Sequence, residues 1–457
     1  MEIIARSASG LPSWLPANCV PIWALVLLAL AGCSTHAQRL EQPRHLFYSN
    51  RIDFAHEKLE KLADKYSRDA TVIELDLAMA DLLRGDPASA EHRLRRVRDQ
   101  WDHLEQASAV ESATSILTDD QRRAYSGEDY EKLLVRTFLS LSSLMQDGVD
   151  AESYALQLLD KHEQLQVRAA EKWGEAAKTA YTPPAIGFYM RGLMRESTHR
   201  NYDDALRAYE LAAQFMPNAP FVQQDIQRVQ QGVHSQKGNG VLYVLALVGR
   251  GPYKVEVAEV ATSEALLIAD RIVSVLGQYS VPPTLAPVKI PDIECPPKPF
   301  DVLAVSLGSQ VAGFTLPLTD LNEIATRTYA AKRPEIMARA VARRVIKKGA
   351  VYVAKDQLQA SAPLASLGMD ALGVAWEATE SADTRCWGLL PHEIQLLRLE
   401  LPAGSHQLSF HPARDGRLIG REVQHRVDIV DGQNTFLMSY WPDMEPIGQI
   451  LTSRPAL

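Results

Sequence analysis

The chain has 457 residues, of which 46% are hydrophobic and 23% charged, and its formal net charge is −8. This composition is globular and excludes a disordered tail, a collagen and a multi-span membrane protein. Lysine and arginine number 48 against 56 aspartate and glutamate. That balance excludes wholesale nucleic-acid binding, which needs a basic face to displace counterions from phosphates. The length is that of about three domains.

The first predicted element is an apolar run over 20–31 that leads into Ala31-Gly32-Cys33. About 12 residues is too short to cross a bilayer core, which takes about 20, so we interpret the run as part of a signal peptide. Its end resembles the lipobox of bacterial lipoproteins. The resemblance implies removal of residues 1–32, a diacylglyceryl group on the Cys33 sulfur and an acyl chain such as palmitate on the new amino group. An ordinary signal peptide with an incidental cysteine is the alternative.

Lipidation at Cys33 would anchor the protein to a membrane of the cell envelope, since several acyl chains on one residue suffice for stable anchoring. By analogy with lipoprotein sorting, Ser34 after the cysteine indicates the outer membrane, with the protein facing the periplasm. Residues 33–44 are predicted to form a polar tether. Cys295 and Cys386 remain in the mature chain. In an oxidising compartment they could form a disulfide, or they could be two buried thiols.

Residues 45–235 are predicted to form a helical domain, because they are rich in Ala, Leu, Glu, Arg and Gln. A small residue followed by two apolar ones recurs on one helical face at Ala55-x3-Leu59-x2-Leu62, Ala90-x3-Leu94-x2-Val97 and Ala205-x3-Tyr209-x2-Ala212. Together with Phe188–Leu193 before it and Pro217 after it, the last of these resembles a tetratricopeptide repeat. The resemblance implies a solenoid of paired helices. Generic antiparallel hairpins are the alternative.

Residues 238–457 are predicted to form a β-rich, sandwich-like domain with inserted helices. Gly240–Val248 predicts a buried strand, and Tyr253–Val257 alternates as a half-exposed strand would. Further strands are predicted over Val302–Val305, Val311–Leu316, Ile394–Leu401, His406–Phe410, Glu422–Ile429 and Thr435–Tyr440. A loop over Val281–Pro299 and helices over Pro334–Lys348 and Leu364–Trp376 complete the predicted elements. The fold class is therefore α+β.

The sequence carries no P-loop, HExxH, GxSxG or CxxC motif. We therefore predict that the protein is not an enzyme and takes no cofactor. The histidines of the last strands are irregularly spaced, so no metal site is predicted. The segment Ser381–Pro391 is the densest mixture of charged, aromatic and turn residues. Its Arg385 and Trp387 could form a ligand surface with His392, or Arg385 could pair with Asp383 in the interior beneath Trp387.

Several segments together resemble one family, bacterial lipoproteins of unknown function with tetratricopeptide-like helices followed by a β-rich domain. The matching segments are the lipobox, Tyr130–Leu134, Phe188–Glu196, Asp203–Ala205, Gly249–Lys254, Ala338–Arg343 and Ala382–Pro391. The resemblance implies no established activity. Genes of such proteins tend to accompany lipoproteins that look like activators of peptidoglycan synthases, which implies an envelope role by association alone.

These observations predict a lipid-anchored periplasmic scaffold that binds protein partners in the cell envelope and could be linked to peptidoglycan synthesis. The concave face of the helical array would hold a partner, and Tyr189 is the array residue from which we would capture it. The alternative is a β domain that binds a ligand such as cell-wall glycan through Arg385, Trp387 and His392, with the helices as a stalk. The sequence does not indicate an oligomeric state.

Overall fold

The structure is a computed structural model that describes residues 36–108, 124–216, 219–276, 286–359 and 381–453, with the backbone alone for 107–108, 275–276 and 347–359. The predicted signal peptide, Cys33 and the helix predicted over Leu364–Trp376 lie outside the described residues. Within these ranges the chain is a mixed α+β protein. Helices occupy the first half, up to Gln230, and the strands begin at Asn239.

The helical half is an array in which each helix packs on the next one in the chain. Its helices are α1 (His36–Tyr48), α2 (Ile52–Lys65), α3 (Ala70–Leu83), α4 (Pro87–Ser108), α5 (Asp129–Leu144), α6 (Ala151–Trp173), α7 (Ala185–Glu196), α8 (Tyr202–Phe215) and α9 (Pro220–Gln230), with a 3-10 helix at Glu175–Ala180. The connections within the described ranges are mostly short, so that successive helices run antiparallel.

Small residues let the helices of this array approach one another closely. Ala55, Ala90 and Ala205 are all fully buried, as the recurring pattern predicts. Gly192 of α7 faces Tyr209 of α8, and a Cβ atom at Gly192 would lie only 2.7 Å from the nearest ring carbon of Tyr209. The glycine is therefore required for the close packing of α7 on α8.

The strands form two larger sheets and one hairpin. They are β1 (Asn239–Val248), β2 (Tyr253–Glu259), β3 (Val288–Glu294), β4 (Val302–Leu307), β5 (Gln310–Phe314), β6 (Leu316–Asp320), β7 (Glu393–Pro402), β8 (Gly404–Arg414), β9 (Arg417–Leu418), β10 (Val423–Ile429), β11 (Asn434–Trp441) and β12 (Ile447–Thr452). The first sheet has the order β12-β11-β1-β7-β6, with β1 and β11 parallel, and the second has the order β10-β8-β4-β5, with β9 paired to β8. Strands β2 and β3 form the hairpin.

Strand β1 is buried on both faces, which explains its unbroken apolar run. One face packs on the helical side through Val241, Tyr243, Leu245 and Leu247. The other face packs against the second sheet through Leu242, Val244, Ala246 and Val248. The molecule thus has three layers, helices, sheet and sheet, and the first sheet belongs to the cores on both of its sides.

A smaller core joins the β2–β3 hairpin to two further helices, α10 (Ser263–Leu276) and α11 (Leu321–Gln359). Val288 and Ile290 of β3 are buried there with Met337 of α11. The first residues of the loop predicted over Val281–Pro299, 281–285, lie outside the described residues. The rest of the prediction is corrected, because Val288–Glu294 form strand β3. Helix α11 also begins earlier than predicted, ahead of Pro334.

Three other boundaries differ from the predictions. The tether predicted over 33–44 is helical from His36 onward, because α1 buries Leu40 and Phe47 in the array. The single strand predicted over Val311–Leu316 is divided between β5 and β6, which belong to different sheets. Strand β12 was not predicted. It is short, and its sequence, Ile447-Gly-Gln-Ile-Leu-Thr452, carries no alternation of apolar and polar residues.

Candidate functional site

The feature that most closely resembles a binding site lies between the helical array and the first sheet, where the helices hold an extended stretch of the chain. We call this stretch, Asp383–Pro391, the inserted segment, and we call the helix surface that holds it the seat. Its backbone is held by side chains of α1, α3 and α5. The N–H of Trp387 donates to Glu131 Oε1 at 2.7 Å, and the N–H of Gly388 donates to Asp76 Oδ1 at 3.2 Å. The helices therefore bind the segment by its main chain.

Donors on α1 complete this recognition. Arg44 Nη2 donates to the carbonyl oxygen of Cys386 at 3.0 Å, while its Nε donates to Asp76 Oδ2 at 3.1 Å. The hydroxyl of Tyr48 donates to the carbonyl oxygen of Gly388 at 3.0 Å. Donors and acceptors thus alternate along the segment, which is how a protein recognises an extended peptide whatever its side chains.

Side-chain packing fixes the position of the inserted segment. Trp387 is fully buried, and its ring centroid lies 5.3 Å from that of Phe138 on α5. A Cβ atom at Gly388 would lie 2.0 Å from Arg44 Cζ. On the sheet side, the hydroxyl of Tyr440 donates to the carbonyl oxygen of Leu390 at 3.0 Å. The segment is clamped between the two halves of the molecule.

The two carboxylates that accept from the segment are fully buried. Burial raises the pKa of Asp76 above its usual value, although the neighbouring Arg44 opposes this. Burial also raises the pKa of Glu131, against the effects of Lys254 and of the Tyr125 hydroxyl. Each carboxylate also accepts from a side chain outside the segment. Arg44 Nε donates to Asp76 Oδ2 at 3.1 Å, and the Tyr125 hydroxyl donates to Glu131 Oε2 at 2.6 Å. These groups serve to hold the segment.

The Asp383–Arg385 pair predicted as the structural alternative is present. Arg385 Nε and Nη2 donate to the two oxygens of Asp383 at 2.9 and 2.8 Å. The guanidinium also lies over the ring of Tyr125, at 5.2 Å from its centroid, and Nη1 is 3.9 Å from Asp69 Oδ1 on the helical side. Arg385 is only 3% exposed. The pair therefore joins the inserted segment to the array.

Lysines from the β-rich half neutralise the acidic start of α5. Lys254 of β2 forms an ion pair with Glu128, and Lys332 Nζ of α11 lies 2.7 Å from Asp129 Oδ2. Burial by itself would raise the pKa of Asp129, but Lys332 and Lys132 outweigh it and hold that pKa well below its usual value. These ion pairs connect the array with strand β2 and helix α11.

The predicted contact residues are largely inaccessible, which is a correction. Tyr189 is fully buried, and its hydroxyl donates to Asp225 Oδ2 at 2.6 Å. Arg385 and Trp387 are buried within the inserted segment. Their aromatic and cationic character suggested an exposed ligand surface, yet packing and ion pairing use the same residue types. The glycan surface predicted through Arg385, Trp387 and His392 thereby loses two of its three members.

His392 lies apart from the inserted segment's buried contacts, in a small polar cluster. Its Nε2 is 3.7 Å from Asp320 Oδ2. The atoms of His392, Asp320 and Glu393 that could bind a metal ion all lie within 4.8 Å of one another. Lys298 Nζ already lies 3.0 and 3.1 Å from the two carboxylate oxygens of Glu393. A cation would have to compete with this ammonium group, so the cluster carries no metal assignment.

Cys295 and Cys386 are both free, so the disulfide that they could have formed is absent. Cys386 is buried in the inserted segment, where its sulfur accepts from the N–H of Lys254 at 3.4 Å. Burial raises the pKa of its thiol. Cys295 is exposed, with Thr326 Oγ1 at 3.6 Å from its sulfur. Their opposite environments explain why they do not pair.

Comparisons of the chain with models of protein families, with curated proteins and with solved structures found no match. Across the described ranges, none of the helices combines the length and the apolar character that crossing a bilayer requires.

Proposed function

We propose that the protein is a lipid-anchored periplasmic scaffold, built on a tetratricopeptide-like array and attached to the membrane through Cys33. The observation that carries the proposal is the seat of the inserted segment. Arrays of this kind bind extended peptides on their inner helices, and here α1, α3 and α5 bind a peptide that belongs to the chain itself. The scaffold presents protein partners in the cell envelope with a fixed geometry, without catalysing a reaction.

The inserted segment occupies its seat on the helices, and this determines where a partner would dock. Displacing the inserted segment would break its main-chain hydrogen bonds and expose Trp387, which costs several kcal/mol. Partners therefore bind on outward surfaces of the array. Large apolar side chains are exposed there, among them Phe54 at 54% and Val149 at 77% of their accessible area.

Cell fractionation tests the anchor. Replacing Cys33 by Ala should release the protein from the membrane fraction and change its electrophoretic mobility, because the acyl chains are lost. Cys19→Ala, in the part of the chain predicted to be removed, is the matched control and should behave like the parent. A Cys33→Ala protein that stayed wholly in the membrane fraction at unchanged mobility would contradict the anchor.

In-cell photocrosslinking tests the scaffold role. A crosslinking residue at Phe54 or Val149 should capture a defined envelope protein, and capture should fail when Cys33→Ala removes the protein from its membrane. The matched control position is Leu418 on β9, which is 47% exposed in the second sheet. Capture of the same protein from Leu418 with equal yield would contradict docking on the array. Capture from neither array position would contradict the scaffold role itself.

A further inference from the structure

We infer that one edge of the helical array lies against the anionic phospholipid surface of the membrane that holds Cys33. We call it the anchor edge, and it consists of the start of α1 (His36–Arg39), Lys65 and the α2–α3 turn (Tyr66–Asp69). The inference rests on the proposed lipid anchor and adds the orientation of the whole molecule on the membrane.

The first argument is the length of chain between the lipid and the fold. Only Ser34 and Thr35 separate Cys33 from the first residue of α1. The three steps along the chain from Cys33 to His36 span at most about 11 Å even when fully extended. The first turn of α1 does not unwind cheaply to lengthen this connection, since His36 is buried and Arg39 Nη2 lies 2.5 Å from Asp69 Oδ2. The start of α1 is therefore held within about one helix diameter of the headgroups.

The second argument is the chemistry of this edge. Lys65 and Arg68 are exposed, and neither forms an ion pair with a described residue. Between them, Tyr66 is partly buried, with Arg39 Cζ at 4.3 Å and Lys65 Nζ at 5.3 Å from its ring centroid. Tyrosine and basic side chains together are characteristic of the membrane interface.

Acidic groups at this edge are mostly compensated. The carboxylate of Asp69, in the same turn, is 2.5 Å from Arg39 Nη2 and 3.3 Å from His36 Nδ1. Asp64 is exposed one residue before Lys65. In a chain with a net charge of −8, two unpaired cations flanking a tyrosine beside the anchor fit an anionic surface and would be repelled by a basic one.

The antiparallel order of the helices places other features on the opposite edge. The α1–α2 and α5–α6 turns lie there, and α1 alone has 13 residues, which is about 20 Å along its axis. Strand β12 packs at that edge, where the N–H of Gly448 donates to Asn50 Oδ1 at 2.8 Å. Val149 in the α5–α6 turn therefore points away from the bilayer and serves as the control position.

The test measures depth in vesicles with the full lipidated protein. A fluorophore is attached at Ser67→Cys or at Val149→Cys in a Cys295→Ser background, which removes the exposed native thiol. Vesicles contain phosphatidylethanolamine and phosphatidylglycerol, with a headgroup-linked quencher. We expect strong quenching at position 67 and little at position 149. Equal quenching at the two positions, in protein that floats with the vesicles, would overturn the orientation alone. Protein that does not float would overturn the anchor.

Charge reversal tests the lipid chemistry. Lys65→Glu with Arg68→Glu should lower the membrane-apposed population, read as quenching at position 67, by about 5-fold or more per charge in phosphatidylglycerol vesicles. The matched control, Arg417→Glu with Arg421→Glu, makes the same charge change on the exposed β9 region and should have no effect. An equal loss in the two double variants, or no loss in the first, would overturn the proposed contact.

Discussion

The core between the two sheets and the seat of the inserted segment are packed by different means. Between the sheets, the cluster consists of apolar side chains such as Leu242, Leu408 and Trp441. At the inserted segment, buried charges meet main-chain groups, as at Asp76 and Glu131. Apolar contact is non-directional and tolerates exchange of similar shapes. Buried charges demand particular partners. The first region therefore supplies cohesion, and the second determines how the helical array is placed on the sheet.

The largest expected effect comes from breaking the charge pair at the seat. Arg44→Ala leaves Asp76 buried without its cation and the carbonyl of Cys386 without its donor, so we expect a loss of about 3–5 kcal/mol in the free energy of unfolding. Denaturant unfolding of the mature protein carrying Cys33→Ala measures it. Arg207→Ala is the control, because its pair with Asp204 is exposed and should contribute less than about 1 kcal/mol. Equal losses would show that the seat does not depend on its charge.

Truncation of the apolar core should lower the free energy of unfolding slightly less than Arg44→Ala does. The loss should also depend differently on pH and salt. Leu408→Ala removes a fully buried side chain between the sheets, for an expected loss of about 2–5 kcal/mol. Unlike the effect of Arg44→Ala, this loss should be the same at pH 5 and pH 8 and at low and high salt, since no charge is involved. A marked salt dependence of the Leu408→Ala effect would contradict the proposed contrast.

Glu105 in the helical array should contribute to the pH dependence of stability. Burial by itself would raise the pKa of Glu105, but Lys132 and Lys161 outweigh it and lower that pKa from 4.5 to about 2. Because the folded pKa is the lower one, the stabilisation is complete above pH 4.5 and is lost as the pH falls towards 2. Glu105→Gln should remove a contribution of about 3 kcal/mol at pH 7 and flatten the acid limb of unfolding. Glu175→Gln, at an exposed site, is the matched control and should change the free energy of unfolding by less than about 0.5 kcal/mol.

The smallest effect on stability is expected at the free cysteines. Cys295→Ser should change the free energy of unfolding by less than about 0.5 kcal/mol, as surface substitutions do. It should also abolish the thiol reactivity of the native protein, because Cys386 becomes reactive only when the inserted segment is released. Titration with a thiol reagent before and after denaturation measures both groups. A native protein without reactive thiol that gains two on reduction would instead indicate the disulfide.

Local patterns sufficed for part of the fold. The apolar run at Gly240–Val248 predicted a buried strand, and the recurring alanines at Ala55, Ala90 and Ala205 predicted close helix pairs. Both are confirmed, since each depends on residues adjacent along one element. Strand β3 escaped prediction because its burial depends on α11, which follows it by some 30 residues and was itself predicted to start too late.

The candidate site was only partly predictable. The mixture of residues over Ser381–Pro391 marked the segment as unusual, and the Asp383–Arg385 pair was among the alternatives. Nothing local indicated that Arg44, Asp76 and Glu131 would meet it, because these residues lie more than 250 positions away. The sequence therefore does not reveal the seat. The partner contact predicted at Tyr189 and the ligand-surface alternative for Trp387 are both wrong, because both side chains are buried.

The sequence by itself determined the α+β class and the order of a helical half and a strand-rich half, and it predicts an anchor at Cys33. Each of these follows from composition, periodicity or a contiguous motif. The tertiary structure alone decided that α1, α3 and α5 hold the chain's own inserted segment and that the first sheet belongs to both cores. The physical reason is that buried charges and main-chain groups find their partners across the fold, and a linear pattern carries no record of that pairing.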